Sequence, residues 1–198
     1  LDEDADLAAF LTGPDGLDRT TTFDLDGRVH TVETPGGHIT EYVYDDGGRV
    51  RSTITPSGLT GAGAPATVQA AVTYTPTGLV ETETDRYAPG VDADPATRRF
   101  TYTGAGRLKT AMDANGDVVS YEYDERGNRT ERHSIDETGA PIMETWAYDL
   151  ADRVTGHRRP YPNAGPEGPQ GPATTYEYDP VFGWLNTVTD PSGRVASF

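Results

Sequence analysis

The sequence predicts an all-β fold, an antiparallel meander of about seven short hairpins, and three observations support this prediction. Aromatic residues recur in pairs one residue apart, as in Tyr121-Glu122-Tyr123, and residues i and i+2 lie on one face of a strand. Asp-x-x-Gly, a turn-forming pattern, follows several of these pairs. A second alternating stretch then ends at another Gly-containing corner. Together these parts describe one β-hairpin, repeated along the chain.

The hairpin repeat is defined by an aromatic anchor with a glycine four residues later, and successive anchors lie about 21 to 30 residues apart. Asp152 occupies the sixth glycine position, and the seventh glycine falls one residue late. The structural repeat residues are Phe23, Gly27, Tyr42, Tyr44, Asp45, Gly48, Tyr74, Gly78, Tyr102, Gly106, Tyr121, Tyr123, Asp124, Gly127, Tyr148, Asp149, Tyr176, Tyr178, Asp179 and Gly183.

The repeat predicts backbone conformation and packing at named positions. A type I turn that ends in a left-handed glycine is a common hairpin connection, so Gly48, Gly106 and Gly127 should have positive φ. A single hairpin is only marginally stable, so the units should stack edge to edge and bury a continuous tyrosine face. Tyr44, Tyr123 and Tyr178 should therefore be largely buried, with tyrosine providing much of the core.

The chain divides into a lead-in and a repeat region. Residues 1–22 precede the first complete unit and form either a short helical turn or a strand left from a partial repeat. Residues 23–198 form the β-ribbon, with Pro- and Gly-rich loops at 61–67, 87–97 and 158–173. Neither end offers an obvious cap for a strand edge. We therefore expect a section of a longer ribbon, with residues 195–198 as an edge segment.

Composition excludes several classes of function. The 198 residues carry a formal net charge of −16, which disfavours binding to nucleic acid and to anionic membranes. There is no cysteine, so disulfides and a cysteine nucleophile are excluded. No apolar run reaches the roughly 20 residues needed to insert into a membrane. The acidic N-terminus, LDEDADLAAFL, carries no signal-peptide pattern.

No residue is assigned to catalysis, to a cofactor or to a metal. The four histidines lack zinc-ligand spacing, and the Asp-x-x-Gly corners do not match calcium-binding loops. For the tyrosines, the alternative to packing is a sugar-stacking platform, which would need exposed rings. Arg28, Arg49, Arg107 and Arg194 follow corner glycines, and we expect them to pair with acidic residues of the neighbouring hairpin in a surface ladder.

The pattern Tyr-x-Tyr-Asp-x-x-Gly-Arg, followed by a second Asp-x-x-Gly, resembles the YD repeat of the Rhs family. This family includes toxin-complex C components, bacterial Rhs polymorphic toxins and the barrel of animal teneurins. Residues 42–58, 121–139 and 176–193 match closely, and the resemblance covers about residues 20–194. Phe replaces a Tyr in residues 23–37 and 100–116, Tyr74 lacks the following Asp, and the unit at Tyr148 lacks the Gly.

The resemblance implies a β-ribbon that curves into part of a hollow shell. The expected function is a non-catalytic wall segment that encapsulates or presents a toxin polypeptide, in a protein that is secreted or extracellular after delivery. Its partners would be the remaining repeats of a longer chain, other chains that pair at strand edges, and the enclosed polypeptide. An extracellular adhesion or carbohydrate-binding module is one alternative. Self-cleavage is another, because residues 190–193 have the Asp-Pro-x-Gly form of the family's cleavage segment.

Overall fold

The computed structural model describes residues 7–12, 18–58, 67–89, 91–159 and 173–198. The chain forms two compact units, residues 1–98 and 99–198. The described residues contain strands and turns and no helix, so the predicted all-β class is confirmed. The search for a membrane-crossing helix in the same residues found none.

The first unit is an antiparallel meander in which each strand pairs with the next one along the chain. Its strands are β1 (Leu7–Thr12), β2 (Asp18–Phe23), β3 (Val29–Thr34), β4 (His38–Tyr44), β5 (Val50–Pro56), β6 (Thr67–Tyr74) and β7 (Val80–Tyr87).

The second unit repeats this arrangement, and strand β8 (Thr97–Tyr102) contains the boundary between the two units. The following strands again pair in chain order. They are β9 (Leu108–Met112), β10 (Val118–Tyr123), β11 (Arg129–Ile135), β12 (Pro141–Tyr148), β13 (Val154–Arg158), β14 (Thr174–Tyr178), β15 (Leu185–Thr189) and β16 (Val195–Ser197).

Each aromatic anchor ends the first strand of a hairpin, and the strand register shifts by one residue at that point. The shift occurs at Phe23, Tyr44 and Tyr74 in the first unit, and at the later anchors in the second. A turn that ends in a left-handed residue produces such a bulge, because that residue has no partner on the opposite strand. The predicted number of hairpins is confirmed.

The corners have the predicted turn geometry. In the β4–β5 corner, the N–H of Asp45 donates to the carbonyl of Arg49 at 2.9 Å, and the N–H of Gly48 donates back to Asp45 at 2.9 Å. The φ angles of Gly48, Gly106 and Gly127 are +76°, +78° and +98°, which confirms the prediction of positive φ.

Two corners depart from this form at the positions where the sequence pattern breaks. Asp152 adopts φ +60° in place of glycine and is the one non-glycine residue with positive φ in the described part of the chain. The β14–β15 corner is one residue longer, because Asp179 N–H donates to the carbonyl of Trp184 at 2.7 Å.

The prediction that the tyrosine rings are largely buried is wrong in degree. Tyr44, Tyr123 and Tyr178 are half-buried, and the most buried side chains of the described residues are the smaller ones of Val32, Ala88, Thr21 and Ser52. Within its described part, each unit is a single sheet. Arginine side chains lie over several of the rings, and among the described residues no second sheet or helix packs on them.

The structure also places the interruptions of the repeat. The lead-in contains strand β1, which pairs with β2. The loop predicted at 87–97 lies between β7 and β8, where Asp92 accepts the N–H of Ala88 at 2.6 Å. Most of the loops predicted at 61–67 and 158–173 lie outside the described residues. Among the described strands, β16 pairs with β15 alone.

Candidate functional site

The aspartate that opens a corner holds that corner with both of its carboxylate oxygens. In the β4–β5 corner, Oδ1 of Asp45 accepts the N–H groups of Gly47 and Arg49, each at 2.9 Å. Its Oδ2 accepts Nε of Arg49 at 2.8 Å. Aspartate is favoured here because its short side chain can satisfy backbone donors two and four residues ahead. The same bonds recur at Asp24 with Arg28 and at Asp149 with Arg153.

The arginine of one corner also covers the aromatic anchor of the next hairpin. The guanidinium carbon of Arg49 lies 4.4 Å from the centroid of the Tyr74 ring, within the range of a cation–π contact. The hydroxyl of Tyr74 donates to the carbonyl of Val50 at 2.8 Å, so the ring is fixed at both ends. We call this set the corner clasp: the first residue and the arginine of one corner, with the anchor tyrosine of the next hairpin. Further clasps join Asp24, Arg28 and Tyr44; Thr103, Arg107 and Tyr123; and Asp149, Arg153 and Tyr178.

The tyrosine hydroxyl bond is independent of the length of chain that it closes. It spans 15 residues from Tyr44 to Val29 and 24 residues from Tyr74 to Val50. The second unit repeats the bond at Tyr123, Tyr148 and Tyr178, over 15, 19 and 24 residues. The clasp therefore links neighbouring hairpins whatever has been inserted between them.

The expected ion-pair ladder between hairpins is not what the arginines form. Arg28 and Arg49 pair with the aspartate of their own corner, four residues earlier, and not with an acidic residue of the neighbouring hairpin. The tight turn brings these two side chains together, and toward the next hairpin each guanidinium faces the anchor tyrosine ring. Arg107 follows Thr103, whose Oγ1 accepts its backbone N–H at 3.2 Å, and the backbone N–H of Arg194 bonds Asp190 at 2.9 Å.

Each clasp arginine lies against the left-handed residue of the next corner. Nη1 of Arg153 donates to the carbonyl of Gly183 at 3.0 Å. A Cβ on Gly127 would overlap the guanidinium of Arg107, and a Cβ on Gly78 would lie 3.1 Å from Nη1 of Arg49. Glycine is therefore needed there both for its positive φ and for the approach of the arginine.

The β10–β11 corner is linked to the β12–β13 corner by different side chains. Asn128 stands at the clasp-arginine position, where its Nδ2 donates to Asp124 at 3.1 Å and to Asp152 at 2.8 Å. Arg126 donates to the carbonyl of Leu150 and to Asp152. The shorter asparagine leaves room for the Cβ of Asp152, whose carboxylate then links the two corners. Asparagine and aspartate both tolerate the left-handed conformation better than most residues.

The clasps perturb the protonation of their members. The hydrogen bond from the Arg49 side chain lowers the pKa of Asp45, and the equivalent bond from Arg153 lowers the pKa of Asp149. At Asp24, burial raises the pKa, but the hydrogen bonds from Arg28 outweigh it and the net shift is downward. Burial raises the pKa of the Tyr44 and Tyr148 hydroxyls, which keeps them neutral and able to donate.

A second aromatic cluster lies in the second unit and was not predicted. Trp146 stacks on His157 with ring centroids 5.2 Å apart, and Arg129 covers Trp146 at 4.3 Å. Nε2 of His157 lies 2.7 Å from Oε1 of Glu144. The available signal was the Trp-x-Tyr spacing at residues 146–148, which matches Tyr-x-Tyr elsewhere. A concavity of about 430 Å³ lies beside it, lined in part by Asp124, Arg126, Trp146 and Tyr148.

The remaining predicted residues lie on the hairpins as strand and corner positions. Tyr42, Tyr121 and Tyr176 are two residues before an anchor, half-buried on the anchor face, as are Phe23 and Tyr102 at anchor positions. Asp190, the candidate cleavage residue, accepts bonds from the N–H and hydroxyl of Ser192 and from Arg194 N–H. A search of the described residues found no group of three His, Cys, Asp or Glu side chains that could hold a metal ion.

This geometry defines a class of protein, a β-hairpin repeat sheet linked at its corners by Asp, Arg and Tyr side chains. The family model described as RHS Repeat matches residues 23–60 and 102–140. These stretches are RHS repeats, and the resemblance to the Rhs family and its YD repeats is confirmed.

Comparison with solved structures gives matches at low sequence identity. The match to a chain of the TcdB2-TccC3-Cdc42 crystal structure has 16% sequence identity and a TM-score of 0.46. It includes 94% of the present chain and 12% of that chain. The TcdB2-TccC3 crystal structure matches at 16% identity over 90% of the present chain and 11% of its own chain, with a TM-score of 0.47. The Photorhabdus luminescens Tc holotoxin pore matches at 16% identity over 91% of the present chain and 11% of its own chain, with a TM-score of 0.33. The chain thus spans about a tenth of these proteins. No curated protein matches it.

Proposed function

We propose that the chain is a non-catalytic wall segment of a YD-repeat shell that encapsulates or presents a toxin polypeptide. The corner clasp is the observation that supports this role. The side chains that define the repeat, such as Asp45, Arg49 and Tyr74, are engaged in linking one hairpin to the next. A wall needs this kind of link, because it connects neighbours and can be repeated indefinitely.

The proposed partners follow from the same architecture. Strand edges of an antiparallel meander can pair with further repeats or with other chains. The enclosed partner would be a toxin polypeptide, in a protein that is secreted or acts outside the producing cell. Net charge of −16 favours an enclosed partner that is neutral or basic.

Protease protection in the intact natural protein tests the proposal. The full-length gene product would be treated with trypsin, and the surviving fragments identified by mass spectrometry, with electron microscopy of the same sample. We expect a hollow particle and a protected polypeptide that maps outside the repeats. Brief treatment with denaturant should abolish that protection. A particle without an interior, or equal digestion before and after denaturant, would overturn the encapsulation role.

We infer further that Asp190 acts as a corner residue and not as a cleavage site. Both its backbone N–H and its Oδ1 are engaged within the corner. Intact mass of the chain should stay constant over days of incubation, in wild type and in Asp190→Asn alike. Appearance of a fragment that ends at residue 190, in wild type alone, would establish self-cleavage instead.

A further inference from the structure

The β14–β15 corner has an aspartate without its clasp arginine. Oδ1 of Asp179 accepts the N–H groups of Val181 at 2.8 Å and Phe182 at 2.6 Å, so the carboxylate is oriented by its own corner, as at Asp45. Trp184 occupies the position of the arginine, because its carbonyl accepts the N–H of Asp179. Within the described residues, no salt bridge involves Asp179, whereas Asp24, Asp45 and Asp149 each have one.

The same corner presents two aromatic rings to solvent. Phe182 is 67% exposed and Trp184 is 71% exposed, and their rings stack with centroids 5.1 Å apart. By contrast, four anchor rings are half-buried under a clasp arginine, those of Tyr44, Tyr74, Tyr123 and Tyr178. Val181, in the same corner, is also exposed. Large exposed apolar residues that cluster in this way mark interaction surfaces.

The corner is held in place by the rest of the sheet. Arg153 of the preceding corner donates to the carbonyl of Gly183 at 3.0 Å and covers the Tyr178 ring at 4.4 Å. The aromatic pair is therefore attached to a fixed backbone.

We propose that this corner binds an arginine side chain of a partner polypeptide. In every complete clasp of this chain that begins with Asp, a guanidinium is held by the corner carboxylate and by an aromatic ring of the next hairpin. Here an oriented carboxylate and an exposed indole ring belong to one corner. The planar guanidinium can stack on Trp184 while its N–H groups bond the carboxylate of Asp179. The net charge of −16 attracts a basic partner and disfavours an acidic one. This inference does not depend on the shell role, since the site lies on a corner that any assembly could use.

Peptide binding to the full chain tests the proposal. The probe is a blocked peptide of alternating Gly and Arg with three arginines, and the control peptide carries citrulline, which is isosteric and neutral. Binding is followed in NMR spectra by the indole N–H resonances of Trp184 and Trp146, and in the variants by the backbone N–H resonance of Gly183, which every variant retains. We expect a saturable shift of the Trp184 resonance with the arginine peptide, little change at Trp146, and no response to citrulline.

Variants separate the site from general attraction to an acidic protein. Trp184→Leu keeps apolar bulk without the aromatic face, and Asp179→Asn keeps an oxygen for the turn without the charge. Each should weaken the fitted affinity about threefold, the scale of one exposed cation–π or ion-pair contact. Asp46→Asn, which removes one exposed corner charge elsewhere, should leave it unchanged. Equal loss in Asp46→Asn, or no saturable shift at Trp184, would overturn the proposal.

Two other occupants give different results in the same experiment. A sugar-binding corner would show the Trp184 shift with a cello-oligosaccharide and not with the arginine peptide. A self-association surface would show that shift on raising protein concentration, without competition from the peptide. Either result contradicts arginine recognition. Preserved dispersion of the strand resonances in Trp184→Leu and Asp179→Asn confirms that both variants remain folded.

Discussion

The β4–β5 and β10–β11 corners link their hairpins to the next by different chemistry. At the first, Arg49 bonds Asp45 and stacks on Tyr74. At the second, Asn128 bridges Asp124 to Asp152 by hydrogen bonds. Both corners retain the bond from the next tyrosine hydroxyl to the first residue of the returning strand. The difference teaches that the repeat preserves a connection, while the side chains that make it can vary.

The two solutions also show which residues depend on one another. An arginine at the clasp position needs a residue without Cβ at the next corner, as Arg49 does at Gly78. An aspartate at that next corner needs a shorter side chain before it, as Asp152 has in Asn128. In this chain, the residues at neighbouring corners are thus paired choices.

Loss of the anchor ring should have the largest effect. Tyr74→Ala should lower the free energy of unfolding by about 3 kcal/mol, at the low end for an aromatic because the ring is half-buried. Tyr148→Ala should cost about 2 kcal/mol, since no clasp arginine stands at position 128 to cover its ring. Urea denaturation measures both. Tyr74→Phe, the matched control, should cost about 1 kcal/mol for the lost hydroxyl bond. Equal costs for the two alanine variants would contradict a contribution from Arg49.

A double-mutant cycle should show the coupling between neighbouring corners. Asn128→Arg alone should destabilise, because the guanidinium meets the Cβ of Asp152 and the bridging bond is lost. Combined with Asp152→Gly, it recreates a regular clasp over Tyr148, and the loss should be recovered. We expect a coupling free energy of about 1 to 2 kcal/mol, typical of residues in contact. Additive effects in urea denaturation would mean that the two positions are independent.

Replacing Arg49 by lysine should have a smaller effect. Arg49→Lys keeps the charge but loses the planar stacking on Tyr74 and the fork that bonds Asp45. The free energy of unfolding should fall by about 0.5 to 1 kcal/mol, the scale of an exposed cation–π contact. Arg51→Lys, two residues further along in β5 with an exposed side chain, is the control and should change stability little. A comparable fall in the free energy of unfolding of Arg51→Lys would contradict a specific role for position 49.

The pKa values of Asp45 in the β4–β5 corner and Asp124 in the β10–β11 corner should respond differently to salt. The pKa of Asp45 is lowered first by the hydrogen bond from the Arg49 side chain. At Asp124, burial raises the pKa, and bonds from the neutral Asn128 contribute to the net lowering. Carboxyl NMR titration should therefore show the pKa of Asp45 rising in 1 M NaCl, with a smaller change at Asp124. An equal response would mean that charge does not separate them.

The same lowered pKa values set the direction of acid sensitivity. A carboxylate with a folded-state pKa below its unfolded value, about 3.9, stabilises the fold above that pH. This contribution is lost as pH falls through the folded-state pKa. Stability should thus be level near neutral pH and decline below about pH 4, and Asp45→Asn should decline less steeply. A decline that already begins near pH 6 would contradict control of acid sensitivity by these aspartates.

Local turn chemistry made much of the fold predictable from the sequence. Aspartate at the start of a corner and glycine at its end have strong conformational preferences, so hairpin number and the φ of Gly48 followed from spacing alone. Even the irregular positions, Asp152 and Gly183, were visible as breaks in the pattern. These features depend on residues within five positions of each other.

Contacts between hairpins were less predictable. The sequence indicated that Arg49 would find a carboxylate, but not that Asp45 would be that carboxylate, nor that Tyr74 would lie beneath it. Ring burial was overestimated because alternation predicts which face a tyrosine occupies and not whether a second layer covers that face. The stack of Trp146 on His157 required knowing the strand register.

The placement of chain insertions gives the clasp a consequence for variation in this protein. The corners that carry a clasp are short, and the long connections all fall at the returns, between β5 and β6, β7 and β8, and β13 and β14. The tyrosine bond closes equally over 15 or 24 residues, so a return can lengthen while the spacing of the corners stays fixed. In each unit, the edge that carries the corners thus stays constant, and the edge that carries the returns can accept inserted segments. New sequence grafted into a return should leave the sheet intact, whereas a single residue added to a clasp corner should disturb its neighbours.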